Sequence, residues 1–280
     1  MSAQSPRAVL IGLVSAGTDG ALAGAIEAVE ALEVPRNVEV ALMVERVGPE
    51  RPLASILAEG LARLAIPTAQ RGGAESLAAA RNRMLALARQ EGADFLLLFD
   101  DQVAPRPRFL RTGLSILAQY EAAVLCGRAR PRVVPDLPRW AEGRPEFSAA
   151  PLPDRADIRL GGLGEARILL VDLARLGTDG PGFDASFARP GLSGQAFLAA
   201  VEATGARVVH CESAEAYASL PAERLTLAEE ARDMRRRLAY AIRCERRARG
   251  FFRTAVRHVP AALLAGGAGL VLRALAPVFG

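Results

Sequence analysis

Five apolar residues, Phe95-Leu-Leu-Leu-Phe99, run without interruption into two adjacent carboxylates, Asp100 and Asp101. An apolar run of this length ending in acids has the pattern of a parallel strand covered on both faces, with a polar tip. The residues upstream, from Arg81 on, read as a helix closed by a tight link through Gly92. In open α/β sheets ligands lie beyond the carboxyl ends of the strands, so the Asp100–Asp101 tip is the first candidate site. Paired acids suit a hard divalent cation, which takes one or two carboxylates and fills its shell with water and phosphate oxygens. The alternative is that the two acids only cap the loop entering Pro105 and Pro107.

The flanking sequence repeats the alternation of strand and helix. Ala8–Val14 reads as a buried strand, followed by the turn or nucleotide-approach loop Ser15-Ala-Gly-Thr-Asp-Gly20. Leu22–Leu32 has helical spacing, and Val38–Val44 is a second strand. Strand, helix and strand within ~40 residues form a βαβ unit, hence a parallel sheet with a right-handed crossover. A short helix over 53–64 and the central unit extend it. Beyond the acidic tip come a helix over 107–118 and strands at 122–126 and 205–210. The fold class expected is therefore α/β, a mostly parallel sheet flanked by helices. No Gly-x-Gly-x-x-Gly follows the first strand, which argues against a dinucleotide-binding fold. Residues 127–157 are rich in Pro, Arg and Gly and too long for a plain connector, so a lid or a mobile segment is expected there.

Composition narrows the function classes. Hydrophobic residues make up 51% of the 280, enough for one large α/β domain or two small ones. The net charge is +4, and all 35 basic residues are Arg. Many of them fall between Arg232 and Arg257, without aromatic interleaving or a nucleic-acid motif, so no nucleic-acid partner is expected. Three scattered cysteines (Cys126, Cys211, Cys244) suit a reducing cytosol better than a disulfide framework. Two histidines without ligand spacing argue against zinc, and His210 reads as a core or sheet-edge residue. The polar start, 1–7, leads straight into the first strand, so no signal peptide is expected. Residues 228–258 read as a basic helical segment. Residues 259–280 form an apolar tail with one charge, Arg273, too short for the ~20-residue span of a bilayer. A basic helix leading into such a tail fits an interfacial anchor on an anionic leaflet, the alternative being a helix docked on the core. The expected location is cytoplasmic, on the inner face of the inner membrane.

Several ordered motifs share one likeness. Gly73…Ala80-Arg81-Asn82 precedes Phe99-Asp100-Asp101-Gln102, which precedes Pro105-Arg106-Pro107-Arg108-Phe109-Leu110. Further on stand Arg167–Val171, Gly182-Phe183-Asp184 and Pro221-Ala-Glu-Arg-Leu-Thr226. In this order they resemble the inverting family-2 glycosyltransferases of the GT-A fold, especially those of bacterial exopolysaccharide synthesis. The resemblance implies a GT-A domain over 1–227 that transfers a sugar from a nucleotide-sugar donor to a polysaccharide or lipid-linked acceptor. It assigns Glu45, Arg81, Asn82, Asp100 and Asp101 to the nucleotide-sugar, and Trp140 and Gln195 to the acceptor side. It also implies Mg²⁺ or Mn²⁺ at Asp100 and Asp101, with Gln102 standing where the family's Asp-x-Asp has its second acid. The family's catalytic base would fall within 191–198, where this chain has Gln195 and no acid. Asp184 and Glu202 are the candidates to replace it. Two readings follow: a transferase, or a binding and scaffolding protein that keeps the fold without the chemistry.

Overall fold

The computed structural model describes residues 6–49, 54–132, 166–185, 190–219, 226–228, 231–232 and 235. The chain divides into two compact units, one made of Met1–Arg132 with Ala149–Ser219, the other of Val133–Ser148 with Leu220–Gly280. Trp140, nearly all of the basic segment and the whole apolar tail lie outside the described residues.

In the first unit the elements run β1 (Arg7–Ser15), α1 (Asp19–Glu30), β2 (Val38–Val47), α2 (Ser55–Arg63), β3 (Thr68–Ala74), α3 (Leu77–Gln90) and β4 (Phe95–Asp100). They continue as β5 (Val103–Pro105), α4 (Phe109–Tyr120), β6 (Val124–Pro131), β7 (Ile168–Asp172), α5 (Leu173–Leu176), α6 (Pro190–Ala203) and β8 (Val208–Ala218). One sheet holds all eight strands in the order β3-β2-β1-β4-β7-β6-β8-β5. β1 pairs in parallel with β2 and β4, β2 with β3, and β6 with β8. β7 runs antiparallel to both of its neighbours, and β5 antiparallel to β8. The sheet is thus mostly parallel, as expected.

Alternation along the central strands builds one core on each face. Val9, Ile11 and Leu13 of β1 join Phe95, Leu97 and Phe99 of β4 and the apolar residues of α1, α2 and α4. Leu10 and Val14 join Leu96, Leu98 and the buried side of α3, with Phe197, Leu198 and Val201 of α6. Each fully buried Leu or Phe contributes about 1.5–3 kcal/mol, so this two-sided burial is what makes the centre of the sheet rigid. Gly12 lies on the α3 side, where a Cβ would come within 3.1–3.3 Å of Leu98, Met84 and Leu96. A larger residue there would push α3, and the side chains it carries to the site, away from the sheet.

Two elements depart from the sequence expectation. β3, Thr-Ala-Gln-Arg-Gly-Gly-Ala, is largely exposed and has no apolar alternation, because an edge strand is held mainly by its backbone ladder to β2. α6 occupies a stretch to which the sequence assigns no element, only the place of the family's catalytic base. Its helix is stabilised by tertiary contact, with Phe197 and Val201 fully buried. His210 is buried on β8 beside Cys126 of β6, in the core position expected, with Nε2 3.5 Å from Glu212 Oε2.

Candidate functional site

The chain leaves β1 toward β2 and β3 on one side, then returns to add β4 on the other. The space between the ends of β1 and β4 is therefore the topological switch point, where α/β sheets bind their ligands. Register places Val14 opposite both Glu45 of β2 and Asp100 of β4, so three strands deliver side chains at one level.

Asp101 is drawn back toward β1. Its N–H donates to Val14 O at 3.0 Å, while its Oδ2 accepts from Ser15 Oγ at 2.6 Å and Gly17 N–H at 2.9 Å. A Cβ on residue 17 would sit 2.9 Å from that same oxygen, so the loop closes around the carboxylate only with glycine. Burial raises the Asp101 pKa above its ordinary value, against the lowering effect of the Ser15 and Gly17 hydrogen bonds.

Asp100 faces the other way, toward Arg167. The Arg167 guanidinium donates from Nη2 to Oδ1 at 2.9 Å and from Nε to Oδ2 at 3.3 Å, a two-pronged pair. Nη2 also reaches Gln102 Oε1 at 3.4 Å. Arg81 Nη2 is 4.0 Å from Asp100 Oδ2, and Arg81 is only 1% exposed. Both guanidiniums and the carboxylate are thus withdrawn from water. Truncating one member of such a pair typically costs about 3–5 kcal/mol, because the remaining charge stays buried.

A stack of side chains supports this cluster from the α3 side. The Arg81 guanidinium lies 5.4 Å from the centre of the Phe183 ring, and Phe183 stacks on Phe197 of α6 at 4.3 Å. Asn82 clamps the backbone of the same loop, donating from Nδ2 to Phe183 O at 2.8 Å and accepting Phe183 N–H on Oδ1 at 2.7 Å. Asp184 follows Phe183 directly in the chain and is partly buried.

The residues singled out in the sequence are therefore distributed unevenly. Asp100, Asp101, Gln102 and Arg81 converge. Asn82 is engaged with Phe183 through both of its amide atoms. Glu45 is 1% exposed and pairs with Arg83 Nη1 at 2.9 Å, so it is a buried charge rather than a solvated one. β2 continues three residues past the expected end at Val44, which carries Glu45 into the sheet. Gln195 is half-buried in the second turn of α6. Glu202 lies two turns further along, about 10 Å down the axis at 1.5 Å per residue, so the two do not share one position.

Arg167 is the residue that sequence reading left without a role. The signal for it is a lone charge before the apolar Ile168–Val171. Because β7 runs antiparallel to β4 with Phe99 opposite Ile168, the residue before β7 must meet the residue after Phe99.

The divalent cation implied by the resemblance can be tested against this arrangement. The oxygen donors have the right hardness. However, Arg167 covers both oxygens of Asp100, and Ser15 and Gly17 cover Oδ2 of Asp101. Among the described residues no group of three or more His, Cys, Asp or Glu is placed to hold a metal ion. As packed, the residues do not fit the ion without displacing Arg167.

No protein-family model matches the chain, and no curated protein matches it by sequence. Solved structures do. The chain aligns with the mannosyltransferase PcManGT from Pyrobaculum calidifontis, in complex with GDP-Man and Mn²⁺, at a TM-score of 0.57 and 14% identity, covering 97% of this chain and 76% of that one. With S. aureus TarS 1–349 in complex with UDP-GlcNAc the TM-score is 0.55 at 14% identity, covering 82% and 66%. With TarS 1–349 alone it is 0.53 at 12% identity, covering 82% of this chain and 64%, less than two thirds, of that one. At these identities the likeness establishes architecture: this chain has the GT-A fold.

Proposed function

We propose that this chain is a glycosyltransferase that moves a sugar from a nucleotide-sugar donor to a hydroxyl of a polysaccharide or lipid-linked acceptor. The observation that carries the reading is the buried cluster of Asp100, Asp101, Arg81 and Arg167 at the β1/β4 switch point. Guanidiniums there suit a diphosphate, which the planar Arg fork matches in geometry and charge. The order of motifs and the GT-A architecture support it, as do the nucleotide-sugars in complex with two structural neighbours. In the inverting reaction the acceptor O–H loses its proton to a base as its oxygen attacks the anomeric carbon. The bond from that carbon to the diphosphate breaks, and the nucleoside diphosphate leaves. Asp184, next to Phe183 in the chain, is the base in this reading. Gln195 cannot accept the proton, and Glu202 is a poor stand-in because of its distance along α6.

A second reading, a nucleotide-sugar-binding scaffold without turnover, is favoured by Gln195 itself and by the neutralised Asp100. Release of UDP or GDP from UDP- and GDP-sugars by the full chain, with glycan acceptors present, separates the two. Transfer that falls about 10²–10⁴-fold in Asp184→Asn, with donor binding kept, is the expected result. Donor binding with no release under any acceptor supports the scaffold, and absence of binding rejects both readings.

We also propose a peripheral contact with the cytoplasmic membrane face through 228–280. No helix among the described residues is long and apolar enough to cross a membrane. Removal of 259–280 should release the chain from membranes at high salt; persistent sedimentation of the truncated chain refutes the anchor.

A further inference from the structure

Arg167 bridges two positions that would otherwise be joined by a metal ion. Its guanidinium holds Asp100 Oδ1 at 2.9 Å and Oδ2 at 3.3 Å, and reaches Gln102 Oε1 at 3.4 Å. Asp100 is the last residue of β4 and Gln102 lies two residues on, the spacing of an Asp-x-Asp pair. The change at position 102 and the placement of Arg167 are electrostatically complementary. Gln102 removes one negative charge from the tip, and Arg167 adds a positive one.

Arg81 approaches the same carboxylate from α3, at 4.0 Å. Among the described residues, the buried cations Arg81 and Arg167 thus both approach Asp100, with Asp101 adjacent to it in the chain. A divalent ion placed between residues 100 and 102 would be pressed against the Arg167 guanidinium in a water-poor pocket, where like charges repel strongly. It would also have to strip both Asp100 oxygens of their donors. A diphosphate meets the opposite situation. It brings negative charge to guanidiniums whose plane is already fixed, because Asp100 and Gln102 hold the Nε–Nη2 edge of Arg167 and the Phe183 ring lies against Arg81.

We propose that Arg167, assisted by Arg81, is a built-in cation that takes the place of the divalent metal, so that this chain binds the diphosphate of its nucleotide without a metal ion. The inference rests on the proposed nucleotide-sugar site and adds how the charge of the diphosphate is met there.

The test is calorimetric titration of the full chain with UDP and GDP, and with UMP and GMP, once in EDTA and once in excess Mn²⁺. The monophosphates isolate what the second phosphate contributes. The expected result is a diphosphate bound at least tenfold more tightly than its monophosphate in EDTA, with Mn²⁺ changing that advantage less than about threefold. A diphosphate advantage that appears only with Mn²⁺ overturns the built-in cation and leaves the nucleotide site standing. Absence of binding by all four nucleotides in both buffers overturns the site as well. In Arg167→Gln the diphosphate advantage should fall at least tenfold in EDTA and become dependent on Mn²⁺, a response that a purely structural arginine would not produce. An Arg167→Gln protein that binds UDP or GDP like the wild type in EDTA also overturns the proposal. Should that variant fail to fold, the wild-type comparison with and without chelator decides alone.

Discussion

Replacing Asn82 by Ala separates a clamp from a ligand contact. The Asn82 amide satisfies both polar groups of the Phe183 backbone, at 2.8 and 2.7 Å, and Phe183 is only 4% exposed. Alanine would leave that N–H and that carbonyl without their partner, at about 1 kcal/mol each, the low end of the usual cost because the loop can relax. Loosening the loop also weakens the Phe183–Phe197 stack, worth about 0.5–1.5 kcal/mol, and the support of Arg81 beneath Asp100. The expected loss is about 2–4 kcal/mol in the ligand-free protein. For a folded unit of ~200 residues this lowers Tm by roughly 5–15 °C. Urea unfolding of wild type and Asn82→Ala, followed by circular dichroism without nucleotide, measures it as a fall in midpoint at unchanged slope. A ligand-free variant that stays within about 0.5 kcal/mol of wild type while nucleotide affinity drops refutes the clamp. That outcome would make Asn82 a direct ligand contact and the clamp incidental.

Gly17→Ala places a Cβ 2.9 Å from Asp101 Oδ2, and should cost about 1–3 kcal/mol and weaken nucleotide binding; an unchanged melting curve refutes the close fit. Burial raises the Asp101 pKa in the folded state above its unfolded value near 3.8, so the stability this group contributes is full below about pH 4 and lost as pH rises through the folded value. Asp101→Asn should accordingly melt higher than wild type at neutral pH, with the gain shrinking toward pH 4; a pH-independent difference contradicts it. Burial pushes the Cys126 thiol up to about 12, which leaves almost no thiolate at pH 8. Cys126→Ser should therefore leave the rapid thiol titre of the native chain unchanged and remove one thiol from the titre in urea.

The apolar run Phe95–Phe99, the βαβ unit before it and the acids after it were legible because burial on both faces demands continuous apolar residues. β3 and α6 carry no such pattern. β3 is an edge strand whose backbone ladder makes few demands on side chains, and α6 folds because Phe197 and Val201 find a surface to bury against. Glu45 follows the apolar run Val40–Val44 as a lone acid, yet it is buried, with Arg83 of α3 neutralising it.

The sequence by itself determined the α/β class, the strand that carries Asp100 and Asp101, and the absence of an acid at positions 102 and 195. These are properties of local pattern and residue chemistry. Only the tertiary structure decided what Asp100 faces. The antiparallel insertion of β7 brings Arg167 across from the end of β4, 67 residues away in the chain. Asp101 is turned to β1 by a hydroxyl and a glycine N–H lying more than eighty residues upstream. Charge pairing in a low-dielectric interior depends on distances of a few ångströms, which strand order and direction set and which spacing along the chain does not encode.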